Sequence, residues 1–524
     1  MATMPAARTL PELIDELARR HPDREAVVGA GQRYTYRQLR AEVRRLARAL
    51  HALGVRRGDK VAILMGNRPE WLVADFAITL LGGVMVAVNT WATARELQHI
   101  LSHSDSRFLF CVARFLKHDY AAMLPELDLP KLERVICVGG SGRPGWLSYD
   151  DLMDTADSVS EEIIQKEQGK VSPRDLAYLL YTSGSTALPK GVEIQHYALI
   201  ENMWQIGERQ ATTERDRLWL AVSLFWGLGC ENALFNLFTH GGCVVLQEHF
   251  DAGQALELIE GERCTMFYGT PNMAQALYEH PERATRDLSS LRGGATIGAP
   301  EQIMRVVELG AREVCNIYGL TETYGNCNVA DARDPLEKRL ASVGRPLEGV
   351  NQRIVDPASG KVLPAGEVGE IRVKGYVTTG YYKDPVRTAE AFDAEGYFRT
   401  GDLGLHDAEG SLHFRGRIKE MVKTGGINVA PIEVEEVLLS HPAVQAAFVT
   451  GVPDAVHDEL LAAVIVAKKG ARISDKEIAE HCRKSLAAYK VPRLIRFAAE
   501  AELPLTTTGK VQKNRLAGTF FPPK

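Results

Sequence analysis

The segment Tyr181-Thr182-Ser183-Gly184-Ser185-Thr186-Ala187-Leu188-Pro189-Lys190-Gly191 carries the residue types that point most directly to chemistry. Thr182, Ser183, Ser185 and Thr186 supply hydroxyls, Gly184 and Gly191 permit close backbone approach, and Lys190 adds a point charge. Backbone N–H groups and hydroxyls donate to phosphate oxygens, so the segment reads as a phosphate cradle. An ordinary Ser/Gly/Thr-rich turn has the same composition. The segment is not a Walker A loop, because Lys190 follows Pro189 and precedes Gly191, where Gly and then Ser or Thr would be needed. A P-loop kinase or GTPase is therefore disfavoured.

A cradle of this kind needs a strand to lead into it, and the apolar stretch Leu176–Leu180 supplies one. The surrounding sequence alternates helical and strand patterns. Leu39, Val43, Leu46, Leu50 and Leu53 recur at steps of four and three, which predicts a helix over Arg37–Leu53 closed by Gly54. Val61–Met65 predicts a buried strand, Pro69–Leu81 a helix stopped by Gly82–Gly83, and Val84–Val88 a further strand. Short apolar runs recur at Leu218–Val222, Cys243–Gln247 and Thr265–Tyr268. This alternation predicts α/β layers with parallel sheets.

From about 349 the texture changes to Gly, Pro and short β runs: Gln352–Val355, Gly369–Val373 and Ser411–Phe414. The last hundred or so residues read as α+β. Pro431–Ser440 and Ser474–Leu486 are helices, the second opened by a Ser474/Glu477 capping box, and Val444–Val449 and Leu461–Val466 are strands. The expected organisation is a large N-terminal α/β domain over 1–417, with a β-rich subdomain over about 349–417. A small mobile α+β domain follows over 418–524, with a hinge near 417–420.

A chain of 524 residues is too long for one ordinary core, which agrees with at least two domains. With 25% charged residues and a net charge of −5, neither disorder nor general nucleic-acid binding is indicated. The eight cysteines are scattered without a C-x-x-C pair, so reduced, mostly buried thiols are expected rather than disulfides or structural zinc. Met1–Pro11 lacks a secretory layout, and no segment reads as a membrane span. The cytoplasm is the expected location.

Further motifs follow in order: Tyr318-Gly319-Leu320-Thr321-Glu322-Thr323, Tyr397-Phe398-Arg399-Thr400-Gly401-Asp402, Gly416-Arg417-Ile418-Lys419-Glu420 and Thr508-Gly509-Lys510. Together with Tyr181–Gly191 they resemble the signature set of the adenylate-forming superfamily, which contains acyl-CoA synthetases, nonribosomal peptide adenylation domains and firefly luciferases. The resemblance covers essentially the whole chain. It implies that a carboxylate attacks the α-phosphate of ATP and pyrophosphate leaves. Both reactants are anions, and two unit charges 4 Å apart repel by about 4 kcal/mol at an effective dielectric of 20, so cations and oriented donors are required.

The resemblance implies that Lys510 bridges the carboxylate and the α-phosphate, that Glu322 helps hold Mg2+, and that Thr321 contacts the α-phosphate. Tyr318 would stack on adenine with Asn316 nearby. Thr296–Pro300, including Gly298, Ala299 and Pro300, would complete the adenine pocket beside Gly319. Asp402 and Arg417 would hold the ribose. Lys419 sits at the implied pivot, on which the C-terminal domain rotates to withdraw Lys510 and bring Gly425–Gly426 to a pantetheine channel, with Lys423 near the acyl-adenylate. The chain ends soon after Lys510, at Lys524, leaving no room for a carrier-protein domain. CoA is therefore the expected acceptor. Loading of a separate carrier protein, or a degenerate nucleotide-binding regulator, are the alternatives. ATP, Mg2+, CoA and a small carboxylic acid are the implied cofactor and partners. No nucleic acid is expected, and the sequence leaves the oligomeric state open, monomer or homodimer.

Three positions depart from the family pattern. Ala187 replaces a usual Gly, Trp226 replaces a usual His after Ser223-Leu224-Phe225, and Asp458 replaces a frequent Gly, which reads as a surface variation. Acyl-pocket candidates by position are Trp226, Gly227, Leu228, Gly229, Gly319, Tyr324, Gly325 and Asn326, with Glu231 and Asn236 adding polarity if they face the pocket. Trp226 equally suits core filling. An aromatic or medium-length aliphatic acid is expected.

Overall fold

The computed structural model describes residues 3–182, 188–424, 427–454, 458–506 and 510–522. The chain divides into two compact units, Met1–Asn351 with Val373–Phe398, and Gln352–Arg372 with Arg399–Lys524.

The first unit is built on two sheets. One has eight described strands in the order Asn328–Val329, Glu313–Tyr318, Gly293–Thr296, Met266–Tyr268, Arg217–Leu220, Cys243–Leu246, Glu25–Gly29 and Gln32–Thr35. Its inner pairings are parallel and its two end pairings antiparallel. The other has seven described strands, in the order Lys190–Gln195, Leu176–Thr182, Val84–Ala87, Lys60–Leu64, Ser106–Cys111, Arg134–Cys137 and Leu147–Ser148. It is parallel except where the first two strands pair antiparallel. Parallel strands covered on both faces favour the continuous apolar runs seen in the sequence.

The helix expected from Arg37 runs Tyr36–Leu53. Thr35 and Gln38 close a capping box at its start, Gly54 ends it at φ 102°, and Leu39, Val43, Leu46 and Leu50 form its buried face. The helix Pro69–Leu80 is different, because every one of its residues is buried. It touches Glu25–Gly29 of one sheet and both Lys60–Leu64 and Val84–Ala87 of the other. A helix apolar all round is one packed on all sides. Asp75, one of its two carboxylates, accepts from the Tyr178 hydroxyl at 2.7 Å, and burial pushes it up to about 8.

The second unit holds a four-stranded sheet, Asn351–Val355, Gly369–Lys374, Phe398–His406 and Leu412–Arg417. It also holds a second sheet of Ile427–Val429, Val422–Thr424, Asp458–Ala467 and Val444–Asp454, with Leu494–Phe497 parallel to Asp458–Ala467. Val434, Leu438, Val449, Ile465 and Ile478 pack its core. The Ser474/Glu477 capping box forms as expected, opening Asp475–Arg483. The compact units part differently from the expected single boundary near 417–420. Residues 352–372 and 399–417 join the C-terminal segment, because their strands pair side by side and Leu412–Arg417 packs on the helix Pro431–Leu439.

All eight cysteines are unbridged and buried. Among the described residues, no helix is long and apolar enough to cross a membrane.

His196 is fully buried, and its Nδ1 accepts from the Leu10 backbone N–H at 3.3 Å. Burial, and secondarily the Arg57 charge, lowers it to about 3. Its folded pKa lies below the unfolded value of about 6.5, so its contribution to stability is present above that pH and is lost as pH falls toward 3. The urea midpoint is expected to fall between pH 6.5 and 5. In His196→Gln, whose amide oxygen can still accept from Leu10, that slope should flatten. An unchanged slope would show that His196 is not the group responsible.

Candidate functional site

The strand Leu176–Thr182 and its antiparallel partner Lys190–Gln195 form the two stems of the hydroxyl-rich segment, with Thr182 opposite Lys190 and Tyr181 opposite Gly191. Both stems are fixed from the side. His103 Nδ1 lies 2.8 Å from the Tyr181 hydroxyl, and His99 Nε2 lies 2.8 Å from the Pro189 carbonyl oxygen. Ser183, Gly184, Ser185, Thr186 and Ala187 lie outside the described residues. The buried Thr182 hydroxyl has no hydrogen-bond partner among the described residues, which suits a donor reserved for a ligand oxygen.

Lys190 reaches a carboxylate from a distant motif. Its ammonium donates to Glu322 Oε1 at 2.6 Å and to the Tyr381 hydroxyl at 2.8 Å. The Tyr381 hydroxyl in turn donates to Glu322 Oε1 at 2.9 Å, and the ammonium sits 4.1 Å from the Tyr381 ring centre. Burial, then the Glu322 charge, raises the Tyr381 phenol well above its ordinary value. Tyr381 was missed in the sequence, where Gly380-Tyr381-Tyr382 has no spacing signal. Glu322 lies on the short 3-10 turn Thr321–Thr323 that follows the strand Glu313–Tyr318. Thr321 does not cap this turn. The N-cap is Leu320, whose N–H donates to the Thr323 hydroxyl at 2.9 Å. The Thr378 N–H fixes the Glu322 carbonyl at 2.7 Å.

The strand Gly293–Thr296 leads into a turn with Gly298 at φ 152°, Ala299, and Pro300 opening the helix Pro300–Glu308. The Ala299 N–H donates to Gln302 Oε1 at 2.9 Å. Asn316 and Tyr318 are buried on the neighbouring strand, and Asn316 Oδ1 accepts from the Ile317 N–H at 3.0 Å. Gly319 must be glycine, since a Cβ there would stand 1.8 Å from the Gly325 carbonyl oxygen.

Among the pocket candidates, Trp226 is half-buried and packs edge-on against Trp91 and Phe225, each at 5.4 Å between ring centres. Gly227 and Gly229 flank the start of a π-helical turn, Leu228–Ala233. A Cβ on Gly229 would lie 2.6 Å from the Ser223 carbonyl oxygen. The Tyr324 hydroxyl accepts from the Gln195 N–H at 2.9 Å, and the Asn326 amide donates to the Tyr268 hydroxyl at 3.2 Å. Asn236 accepts from the Thr212 hydroxyl at 2.9 Å inside the core. Burial first, and the Glu322 charge second, push the Glu231 carboxyl well above its ordinary value.

In the second unit, Asp402 is buried and Arg417 Nε lies 3.3 Å from its Oδ1, the two facing each other across an antiparallel pair. Desolvation, then the like charge of Arg417, lowers the Lys510 ammonium below its ordinary value. Lys419 lies on the 3-10 turn Ile418–Glu420. Lys423 is exposed on Val422–Thr424, with its N–H donating to Glu459 Oε2 at 2.7 Å and its ammonium 3.8 Å from Asp458 Oδ2. Asp458 adopts φ 63°, a conformation that favours glycine, at an exposed position. Gly425, Gly426, Thr508 and Gly509 lie outside the described residues.

Among the described residues, no group of three or more His, Cys, Asp or Glu is placed to hold a metal by itself. A hard cation here would take Glu322 together with phosphate oxygens, a donor set that suits Mg2+.

A model of the AMP-binding enzyme family matches residues 14–382, and one of the AMP-binding enzyme C-terminal domain matches 433–510. The chain is 33% identical to acyl-CoA ligase sidI of Aspergillus fumigatus, over 96% of this chain and 90% of that protein. It is 32% identical to the mitochondrial medium-chain acyl-CoA ligase ACSF2 of Danio rerio, over 97% and 88%. The crystal structure of the anthranilate CoA ligase AuaEII in complex with anthranoyl-AMP superposes with a TM-score of 0.87 at 28% identity, covering 98% of both chains. ATP-bound MatB from Rhodopseudomonas palustris gives 0.84 at 30%, covering 98% of this chain and all of that one.

Gly319→Ala should force the Gly325 carbonyl aside and destabilise the fold by about 1–3 kcal/mol, the range for overpacking a filled site. A thermal midpoint equal to that of the parent would contradict this close approach.

Proposed function

Because the chain belongs to the AMP-binding enzyme family, we propose that it joins a small carboxylic acid to CoA through an acyl-adenylate, releasing AMP and pyrophosphate. It is an AMP-forming acid–thiol ligase of the acyl-CoA synthetase kind. The observation that carries the reading is the Lys190–Glu322–Tyr381 cluster, which joins the stem of the hydroxyl-rich segment to the second motif.

In the first half-reaction the acid's carboxylate attacks the α-phosphorus of ATP and pyrophosphate departs. Lys190 and the Thr182 hydroxyl bind phosphate oxygens, with Ser183, Gly184, Ser185 and Thr186 completing the cradle. Thr321 orients the α-phosphate, and Lys510 places positive charge where the two anions meet. Glu322 would hold Mg2+ together with phosphate oxygens, and the ion would supply charge neutralisation there. Tyr318, Asn316, Gly319 and Gly298–Pro300 receive the adenine, and Asp402 and Arg417 the ribose. In the second half-reaction the CoA thiol displaces AMP, with Lys419 as the pivot, Gly425–Gly426 lining the thiol approach and Lys423 beside the adenylate. The acid is aromatic or medium-chain aliphatic. The medium-chain ligase among the relatives and the anthranilate ligase among the structural neighbours support the two halves of that choice.

Pyrophosphate release with ATP, Mg2+ and a panel of such acids, with and without CoA, tests the acceptor. A thioester that forms only with CoA is expected. Turnover that ignores CoA and responds to an acyl carrier protein would replace CoA with that protein.

Lys510→Ala should slow adenylation by roughly 10²-fold or more, as for the loss of one preorganised charge-stabilising donor, while sparing thioester formation from supplied acyl-adenylate. Lys419→Pro should show the opposite bias, since proline restricts φ at the pivot. Equal losses in both half-reactions would argue against a division of labour between these lysines.

A further inference from the structure

Glu231 is completely buried, and among the described residues neither of its carboxyl oxygens has a hydrogen-bond partner. Leaving a buried polar group unpaired is costly, more so for a charge, so an unpaired carboxyl points to a partner that arrives from outside the chain. Its place in the fold says where that partner would sit. Glu231 lies in the π-helical turn Leu228–Ala233, a distortion common at functional sites. Side chains on a helical turn lean toward its N-terminal end, and Glu231 leans back over Gly227. A Cβ on Gly227 would lie 2.1 Å from Glu231 Oε2, and that same point lies 3.5 Å from the Thr321 hydroxyl. The missing side chain of Gly227 thus leaves room for the carboxyl beside Thr321.

The neighbouring residue locks this placement. Asn232 Nδ2 donates to the Tyr324 carbonyl at 3.2 Å, and a Cβ on Gly325 would come within 1.9 Å of that nitrogen. The π-helical turn therefore packs directly against the segment carrying Thr321 and Glu322. Just before it, Trp226 packs with Phe225 and Trp91 in an aromatic group. The combination is an apolar aromatic wall and one unpaired carboxyl.

We propose that Glu231 is a specificity-determining residue, whose carboxyl accepts a hydrogen bond from a hydroxyl or amino group carried on the acyl part of the acid. The assignment rests on the ligase reading above. A site built to bond such a group discriminates strongly against the analogue lacking it, because the buried acceptor is then left unpaired.

The test uses the full-length enzyme with ATP, Mg2+ and matched acids: benzoate against its 2-amino and 2-hydroxy derivatives, and hexanoate against 6-amino- and 6-hydroxyhexanoate. The readout is kcat/KM for pyrophosphate release. At least one donor-bearing acid should exceed its plain counterpart by roughly 10²-fold or more, and the better arm identifies amine or hydroxyl. Glu231→Val should abolish or invert that ratio. Glu231→Gln, which keeps the shape and one acceptor oxygen, should retain part of it and serves as the readout if the valine variant does not fold. Plain acids preferred in every pair, or a ratio unchanged in both variants, would overturn the role of Glu231 while leaving the ligase reading intact. No pyrophosphate with any acid would overturn both.

Discussion

The contact between Lys190 and Glu322 ties the ligand-binding half of the first unit together. It joins residues far apart in sequence, one at the edge of the seven-stranded sheet and one at the end of an inner strand of the eight-stranded sheet. The carboxylate is largely buried and the ammonium mostly so. Desolvating such a pair removes much of its Coulombic gain, so its presence is weak evidence for a stabilising role. The Tyr381 hydroxyl and ring add contacts that fix its geometry. What the cluster supplies is a positioned charge, as a reaction between two anions demands.

The rest of the first unit reads as support for that placement. The all-buried helix Pro69–Leu80 touches strands of both sheets, so the two sheets that lead to Lys190 and Glu322 share one core. The turn at Leu320–Gly325 is set by contacts too tight for any side chain at Gly319 or Gly325. These packing constraints act together with the hydrogen bonds from Thr378 and Tyr381 to place Glu322.

Much of this organisation was legible in the sequence. Leu39, Val43, Leu46 and Leu50 gave their helix by periodicity, and Ser474 with Glu477 marked a helix start, because both signals are local. The partition of the chain was less legible, since residues 352–372 and 399–417 pair among their own strands and meet the C-terminal segment where Leu412–Arg417 packs on the helix Pro431–Leu439, which no local pattern reports. Tyr381 was invisible for the same reason, as its role arises from a contact between distant segments. Glu231 was visible only as a residue of uncertain orientation. Its lack of partners emerges once Gly227 and Thr321 are brought beside it.

The antiparallel pairing of Thr182 with Lys190 has a consequence for how this protein can change over evolutionary time. Side chains alternate faces along a strand, so a single residue inserted or lost on the Lys190 stem would turn the lysine to the opposite side of the sheet. Seven residues separate the paired positions, and the phase of the two stems is set by the pairing and not by those residues. A change of length in the strand beside the hydroxyl-rich segment is therefore closed to drift, whatever residues the segment itself carries.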